Sequence, residues 1–202
     1  MSQQADESKK AIKNSSAPLV WINGFPGVGK LTIARKLQEL FGPKSATLIS
    51  NHELIDPVAA RLARDHPDYH VERKAERQKA FKGYVQNVTA FGKVIICTDC
   101  QSDNQLGLDV AGEYQDAASK SGRAFVPVLL TCDESENLSR VCNVQREDSG
   151  TTKLTDPHLV SELRAKHTML AFDVPEQLRL DVTTMSVEEA AAEIFAHVTR
   201  FQ

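Results

Sequence analysis

One short stretch constrains the fold more than any other: Gly24-Phe25-Pro26-Gly27-Val28-Gly29-Lys30-Leu31-Thr32, set between an apolar run and a helix-forming segment. Gly24, Gly29 and Lys30 fall on the G-x-x-x-x-G-K spacing. Glycines there let the backbone turn and approach a polyphosphate, and the lysine places positive charge on it. The start of the next helix adds N–H groups and a favourable dipole. Pro18-Leu19-Val20-Trp21-Ile22-Asn23 reads as the strand before the loop, and Leu31, Ile33, Ala34, Leu37, Leu40 and Phe41 recur at helical spacing after it. Strand, loop and helix in that order predict a phosphate-binding loop in an α/β sheet.

The rest of the chain extends the pattern. Residues 45–50 read as a second strand and 52 to about 64 as a helix; a longer polar helix is expected over 69–91. A third strand, 93–98, ends in Asp99, followed by a helix over 105–121 and a fourth strand over 123–131. Asp133 can cap a helix of about 134–144. Asp156 and Pro157 supply the N-cap and first residue of another that reaches about Leu170. A fifth strand follows over 178–182, and Ser186 with Glu189 forms a capping box for the last helix. This alternation predicts a parallel sheet with helices on both faces.

A chain of 202 residues fits one domain, expected over 17–202, with a sizeable core. Residues 1–16 are polar and read as a flexible tail. The stretch 145–155, polar with Gly150 and paired threonines, reads as part of a small mobile lid around 140–155. A net charge of −3 argues against a general nucleic-acid surface. No run approaches membrane-span length and the first residues hold no hydrophobic signal region, so the expected setting is cytoplasmic, without membrane contact. Cys97, Cys100, Cys132 and Cys142 do not form a disulfide framework pattern, and Cys97-Thr98-Asp99-Cys100 lacks a second pair at zinc spacing.

In open α/β sheets ligands bind beyond the carboxyl ends of the strands, so the residues just after each strand are the candidates for chemistry. Asp99 ends an apolar strand in the manner called Walker B and can hold magnesium directly or through water; its other role is a cap for the next turn. The position after Lys30, where Ser or Thr usually meets the metal, holds Leu31, with the hydroxyl one residue late at Thr32. Thr32 and Asp99 are therefore the candidate metal ligands, with Asp99 foremost. After the second strand stand Asn51, His52, Glu53 and Asp56. Asp56, or else Glu53, can take the proton of an acceptor hydroxyl or orient it, while Asp56 before Pro57 equally suits a helix cap. Arg140 and Arg146 flank the start of the polar segment, with Lys153 further along; arginine forks onto phosphate oxygens. Arg73 and Arg77 lie in a mixed-sign run with Glu72 and Glu76. Such a run is usually a solvated face, though either arginine could hold an anionic acceptor.

The loop reads G-x-P-G-x-G-K-x-T and resembles that of adenylate kinase and related small-molecule kinases. With the acidic strand end, the carboxylates after the second strand and the arginines in that order, the chain from about 18 to 200 resembles the P-loop kinases of the nucleoside and nucleotide kinase-like group. Shikimate kinase, gluconate kinase and chloramphenicol phosphotransferase are comparable members. The resemblance implies a P-loop NTPase fold with a five-stranded parallel sheet in the order 2-3-1-4-5. It implies ATP with Mg2+ as donor and a small-molecule hydroxyl as acceptor. It puts Gly24, Phe25, Pro26, Gly27, Val28, Gly29, Lys30, Leu31 and Thr32 around the phosphates, with Arg140 and Arg146 closing from a lid and Thr183-Thr184 near the base. Lys30, Asp56, Asp99 and Arg146 then form the catalytic set. The paired aspartates of shikimate kinase are missing after the second strand. The competing reading is a nucleotide-binding switch or ATPase without a small acceptor; a GTPase is disfavoured, since no N/T-K-x-D motif occurs.

Overall fold

In the computed structural model, which describes residues 16–142 and 154–202, β1 (Ser16–Asn23) lies at the centre of a parallel sheet. It pairs with β3 (Val94–Thr98) on one side and β4 (Arg123–Thr131) on the other; β2 (Ala46–Ile49) and β5 (Leu178–Asp181) form the edges. Among the described residues the sheet has five strands in the order 2-3-1-4-5. The unbroken apolar run of β1 reflects burial on both faces. Val20 and Ile22 share a core with Ile33 and Leu37 of α1 (Lys30–Phe41) and Ile194 of α7 (Val187–Val198). Leu19 and Trp21 point the other way, into a core with Val110 and Tyr114 of α4 (Gln105–Lys120). All four β1 side chains are at most 1% exposed, and burial of each stabilises the sheet by roughly 1.5–3 kcal/mol.

Several boundaries differ from those expected. Ser16 belongs to β1, where its hydroxyl donates to Ser121 O at 2.7 Å. The helix after β2, α2 (Asn51–Ala59), is capped by Ser50, so Pro57 lies inside it and Asp56 is not its cap. The long helix expected over 69–91 divides into α3 (Tyr69–Ala80), a π turn (Phe81–Val85) and a 3-10 turn (Val88–Ala90). Gly83 weakens helix continuity there. The buried guanidinium of Arg123 also takes the carbonyls of Val85, Ala90 and Lys93 at 3.0, 2.7 and 2.7 Å, which ties the end of this segment to β4.

The helix after β4, α5 (Glu134–Val141), is shorter than expected, and α6 (Pro157–Lys166) stops before Leu170. Leu170 N instead donates to Gln101 O at 2.9 Å. Asn23, at the end of β1, is fully buried and closes the same junction: its Nδ2 reaches Gln101 O and Leu170 O, and its Oδ1 accepts from Gln101 N. The loop after β3 is thereby fixed beside the loop after β1. Among the described residues no helix is long and apolar enough to cross a membrane.

Candidate active site

Between β1 and α1 the loop is shaped by backbone geometry and braced from α5. Gly27 has φ +91°, and a Cβ there would come within 2.5 Å of Val141 Cγ2 and 2.6 Å of Asn137 Nδ2. Only glycine admits both the turn and the close approach of the helix. Asn137 is fully buried and donates to Pro26 O at 2.8 Å, while Arg140 donates to Val28 O at 3.2 Å. Arg164 of α6 backs this brace. Its guanidinium donates to Asn137 Oδ1 and Cys132 O, both at 3.1 Å, and lies 5.0 Å from the centre of the Phe25 ring. Gly29 stands at the N-cap of α1 with no side chain to occupy the first-turn N–H groups, which suits them to an anion. Lys30 Nζ donates to Gly24 O and Phe25 O at 2.6 and 2.8 Å, so its charge is held over the loop.

A cleft of about 1030 Å³ opens beyond the carboxyl ends of the strands. Its loop end is lined by Lys30, Thr32, Arg35, Arg140 and the apolar Met185 and Val187. Its far end is lined by Asn51, His52, Arg64, Tyr69, Arg73 and Val110. Asp99 lies beneath the floor and is fully buried. Its Oδ1 accepts from Cys100 N and Gln101 Nε2, both at 2.8 Å, whereas Oδ2 has no hydrogen-bond partner among the described residues. A buried carboxylate oxygen in that state is costly unless water or a cation satisfies it. Together with the exposed Thr32 hydroxyl it supplies hard oxygen donors, which fit a magnesium ion that keeps much of its water. No group of three or more His, Cys, Asp or Glu among the described residues forms a protein-only metal cluster.

At the far end the charges come from side chains. Arg77 is 5% exposed and forks onto Glu113, with Nε and Nη2 each at 2.9 Å from a carboxylate oxygen. Burial works against its charge, but the hydrogen bonds and attraction of Glu113 outweigh it and raise its pKa. Arg73 is 6% exposed; Nη2 donates to Asn51 Oδ1 at 2.9 Å and Nη1 has no hydrogen-bond partner among the described residues. Burial lowers its pKa below the ordinary arginine value, against the pull of Asp99.

Lys30, Thr32 and Arg140 all line the cleft, and Asp99 is buried between the cleft-lining Thr98 and Cys100. Arg140 also straps the loop to the chain after β5 through Val182 O at 2.8 Å and Thr183 O at 3.2 Å. Glu53 is exposed and engaged with Ser50, whose hydroxyl lies 3.1 Å from Glu53 Oε1. Asp56 is half-buried, with Oδ1 4.0 Å from Nδ1 of His52; His52 lines the cleft. Thr183 stands behind the wall, where its hydroxyl accepts from Asp133 N at 2.9 Å, and Met185 to Val187 line the cleft in its place. Arg146 and Lys153 lie outside the described residues.

Arg73 and Arg77 are not on a solvated face: Tyr69, Arg73, Arg77 and Ala80 are the buried residues of α3. That spacing, with an aromatic and an alanine bracketing two arginines, is a signal the sequence did contain. Asn23, Asn137 and Arg164 carry no comparable signal. The C-x-x-C thiols are free, and burial pushes both Cys97 and Cys100 up, away from reactive thiolate.

The loop, the carboxylate after β3 and the strand order define a P-loop NTPase fold in the arrangement of the nucleoside and nucleotide kinase-like group. A family model described as an AAA domain matches residues 20–157, and the chain belongs to that family. Among solved structures it is similar to a gluconokinase from Sinorhizobium meliloti at 15% identity and TM-score 0.59, over 91% of this chain and 93% of that one. It is also similar to the APS kinase of Mycobacterium tuberculosis in complex with AMPPNP and APS, at 18% identity and TM-score 0.58, over 91% and 98%. The tunicamycin resistance protein of Deinococcus radiodurans gives 19% identity and TM-score 0.53, over 90% and 95%. These likenesses are of fold. A search of curated proteins returns no match.

Proposed function

We propose that the protein transfers the γ-phosphoryl group of MgATP to a hydroxyl of a small molecule. The observation that carries this reading is the continuity of the cleft. About 1030 Å³ runs from the phosphate-binding loop to a second, arginine-lined end, at the upper limit of the ~300–1,000 Å³ usual for one ligand. Space for a donor and an acceptor in line suits direct transfer.

In this reading the N–H groups of residues 27–32 and the Lys30 ammonium hold the β- and γ-phosphates. Asp99, with Thr32, would hold magnesium, which neutralises charge on the phosphates when bound. The acceptor oxygen bonds to the γ-phosphorus as the bond from that phosphorus to the β–γ bridging oxygen breaks, and ADP leaves with the electron pair. We assign orientation of the acceptor hydroxyl to Asp56 rather than Glu53, because Glu53 is exposed and engaged in the Ser50 cap, whereas Asp56 is half-buried with Oδ1 4.0 Å from Nδ1 of His52, a residue of the cleft lining. Arg146, on the lid proposed around 140–155, would close over the phosphoryl group and exclude water. The resulting organisation is one kinase-like domain over about 17–202 acting in the cytoplasm.

ADP release in the presence of mixed sugars, nucleosides, antibiotics and small hydroxy acids tests the proposal. Wild-type protein should release ADP in step with a phosphorylated acceptor, and Lys30→Ala should lose turnover by ~10³-fold or more while its melting temperature stays put. Phosphoryl transfer by that variant at wild-type rate under saturating ATP would overturn the assignment. The AAA domain description favours one other reading, an ATPase without a small acceptor. Hydrolysis unaffected by every acceptor and stimulated by a protein partner would establish that instead.

A further inference from the structure

The cleft is lined by Lys30, Arg35, Arg64, Arg73, Arg77 and Arg140, and by no Asp or Glu among the described residues. Arg140 of α5 is paired with Glu136 at 2.7 Å, and a nucleotide on the loop accounts for Lys30 and Arg35 of α1. It leaves Arg64, Arg73 and Arg77 at the far end. Arg77 is already neutralised by Glu113. Arg73 is not: it is 6% exposed, its hydrogen-bonded partner is the neutral amide of Asn51, and Nη1 remains unpartnered among the described residues. Removing a guanidinium from water costs several kcal/mol unless an anion compensates. Asp99 offers partial compensation at longer range, but its own free oxygen shows that the two do not bond each other.

Asn51 keeps the fork in place. Its backbone N–H donates to Thr98 Oγ1 at 3.2 Å and its Oδ1 receives Arg73 Nη2, so Arg73 is oriented before any ligand arrives. His52 and His70 add polar edges, while Ile55, Tyr69, Leu106 and Val110 supply apolar wall. A pre-set guanidinium over such a wall recognises an oxyanion on a compact carbon body.

We propose that the acceptor is a small alcohol bearing a carboxylate, sulfate or phosphate group, and that Arg73 makes its anion-binding contact. This rests on the phosphoryl-transfer reading for the word acceptor, but the anion site itself can be tested without ATP. Inorganic sulfate is titrated calorimetrically into the wild type and into Lys30→Ala, Arg73→Gln and Arg73→Lys. Lys30→Ala should retain the far-end sulfate. Arg73→Gln should lose it, with affinity down by ~10-fold or more, and Arg73→Lys should fall between, since it keeps the charge without the fork.

Equal sulfate stoichiometry and affinity in Arg73→Gln and wild type would overturn the proposal and leave Arg73 as a counter-charge to Asp99. If Arg73→Gln does not fold, unaltered sulfate binding by Arg73→Lys overturns it equally. Acetate and methyl phosphate, titrated alike, separate carboxylate from phosphate preference. In the transfer assay, matched pairs such as glycerate against glycerol should favour the anion, and the arginine variant should raise KM for the anion by ~10-fold while KM for ATP stays within about twofold. Preference for the neutral member of every pair would refute the acceptor assignment, whereas absence of transfer to any compound alongside intact Arg73-dependent sulfate binding would refute only the kinase reading.

Discussion

At the loop end of the cleft the groups that face a ligand are backbone amides, a lysine held by the carbonyls of its own loop, and Thr32 and Arg35 of the helix that follows directly. At the far end they are side chains delivered by α2 and α3, segments distant in sequence from the loop and from each other. The first kind of site depends on a short local sequence because backbone conformation is set by glycines and a helix start. The second depends on how separate elements pack, so its chemistry can change while the fold stays the same. A donor shared across a fold class and an acceptor particular to one protein are what that division would produce.

The largest effect expected from breaking this division lies at the far end. The Arg77 pair with Glu113 joins α3 to α4 out of solvent, with side chains 6% and 10% exposed. Glu113→Gln leaves a buried guanidinium without its counter-charge and should cost about 3–5 kcal/mol. Arg77→Met combined with Glu113→Leu removes both charges and should recover most of that loss, by denaturant unfolding of single and double variants. Nucleotide affinity should change little throughout, because the loop is braced by α5 and α6 instead. A fall in nucleotide affinity equal to the fall in acceptor affinity would show the two ends to be one unit.

Legibility in the sequence divides along the same line. The loop, Asp99 and the strand alternation could be read because each is a local pattern: glycine spacing, an apolar run ending in a carboxylate, a change of hydrophobic period. Arg73 and Arg77 read as solvated because they are interleaved with Glu72 and Glu76, and only the burial of one α3 face separates the two sets. Asn137 and Arg164 were silent for another reason. Their work is to satisfy Pro26 O and to stack on Phe25, contacts made across more than a hundred residues of chain in the first case. Asp56 before Pro57 matched a cap signal, yet Ser50 had already started the helix.

A smaller effect is expected where the loop meets its brace. Gly27→Ala forces a Cβ to 2.5 Å from Val141 Cγ2 at φ +91°. Either the loop or α5 must move, at a cost of about 1–3 kcal/mol. Because the loop N–H groups shift with it, affinity for AMPPNP should fall at least ~10-fold, measured by calorimetry, while sulfate binding dependent on Arg73 persists. Loss of both would sharpen the comparison in the opposite sense, by making α5 the element that sets the whole cleft.

The smallest effect tests how far the Phe25 ring matters at the loop end. Phe25→Leu removes a ring lying 5.0 Å from the Arg164 guanidinium, a contact worth about 0.5–1 kcal/mol where partly exposed. Arg164 keeps its bonds to Asn137 and Cys132 O, and Lys30 keeps the carbonyl of residue 25, which the substitution does not touch. The melting temperature should therefore drop by only a few degrees and KM for ATP should remain within about twofold of wild type. If KM for ATP rises tenfold instead, the loop end depends on the packing of the Phe25 ring as the far end depends on its side chains.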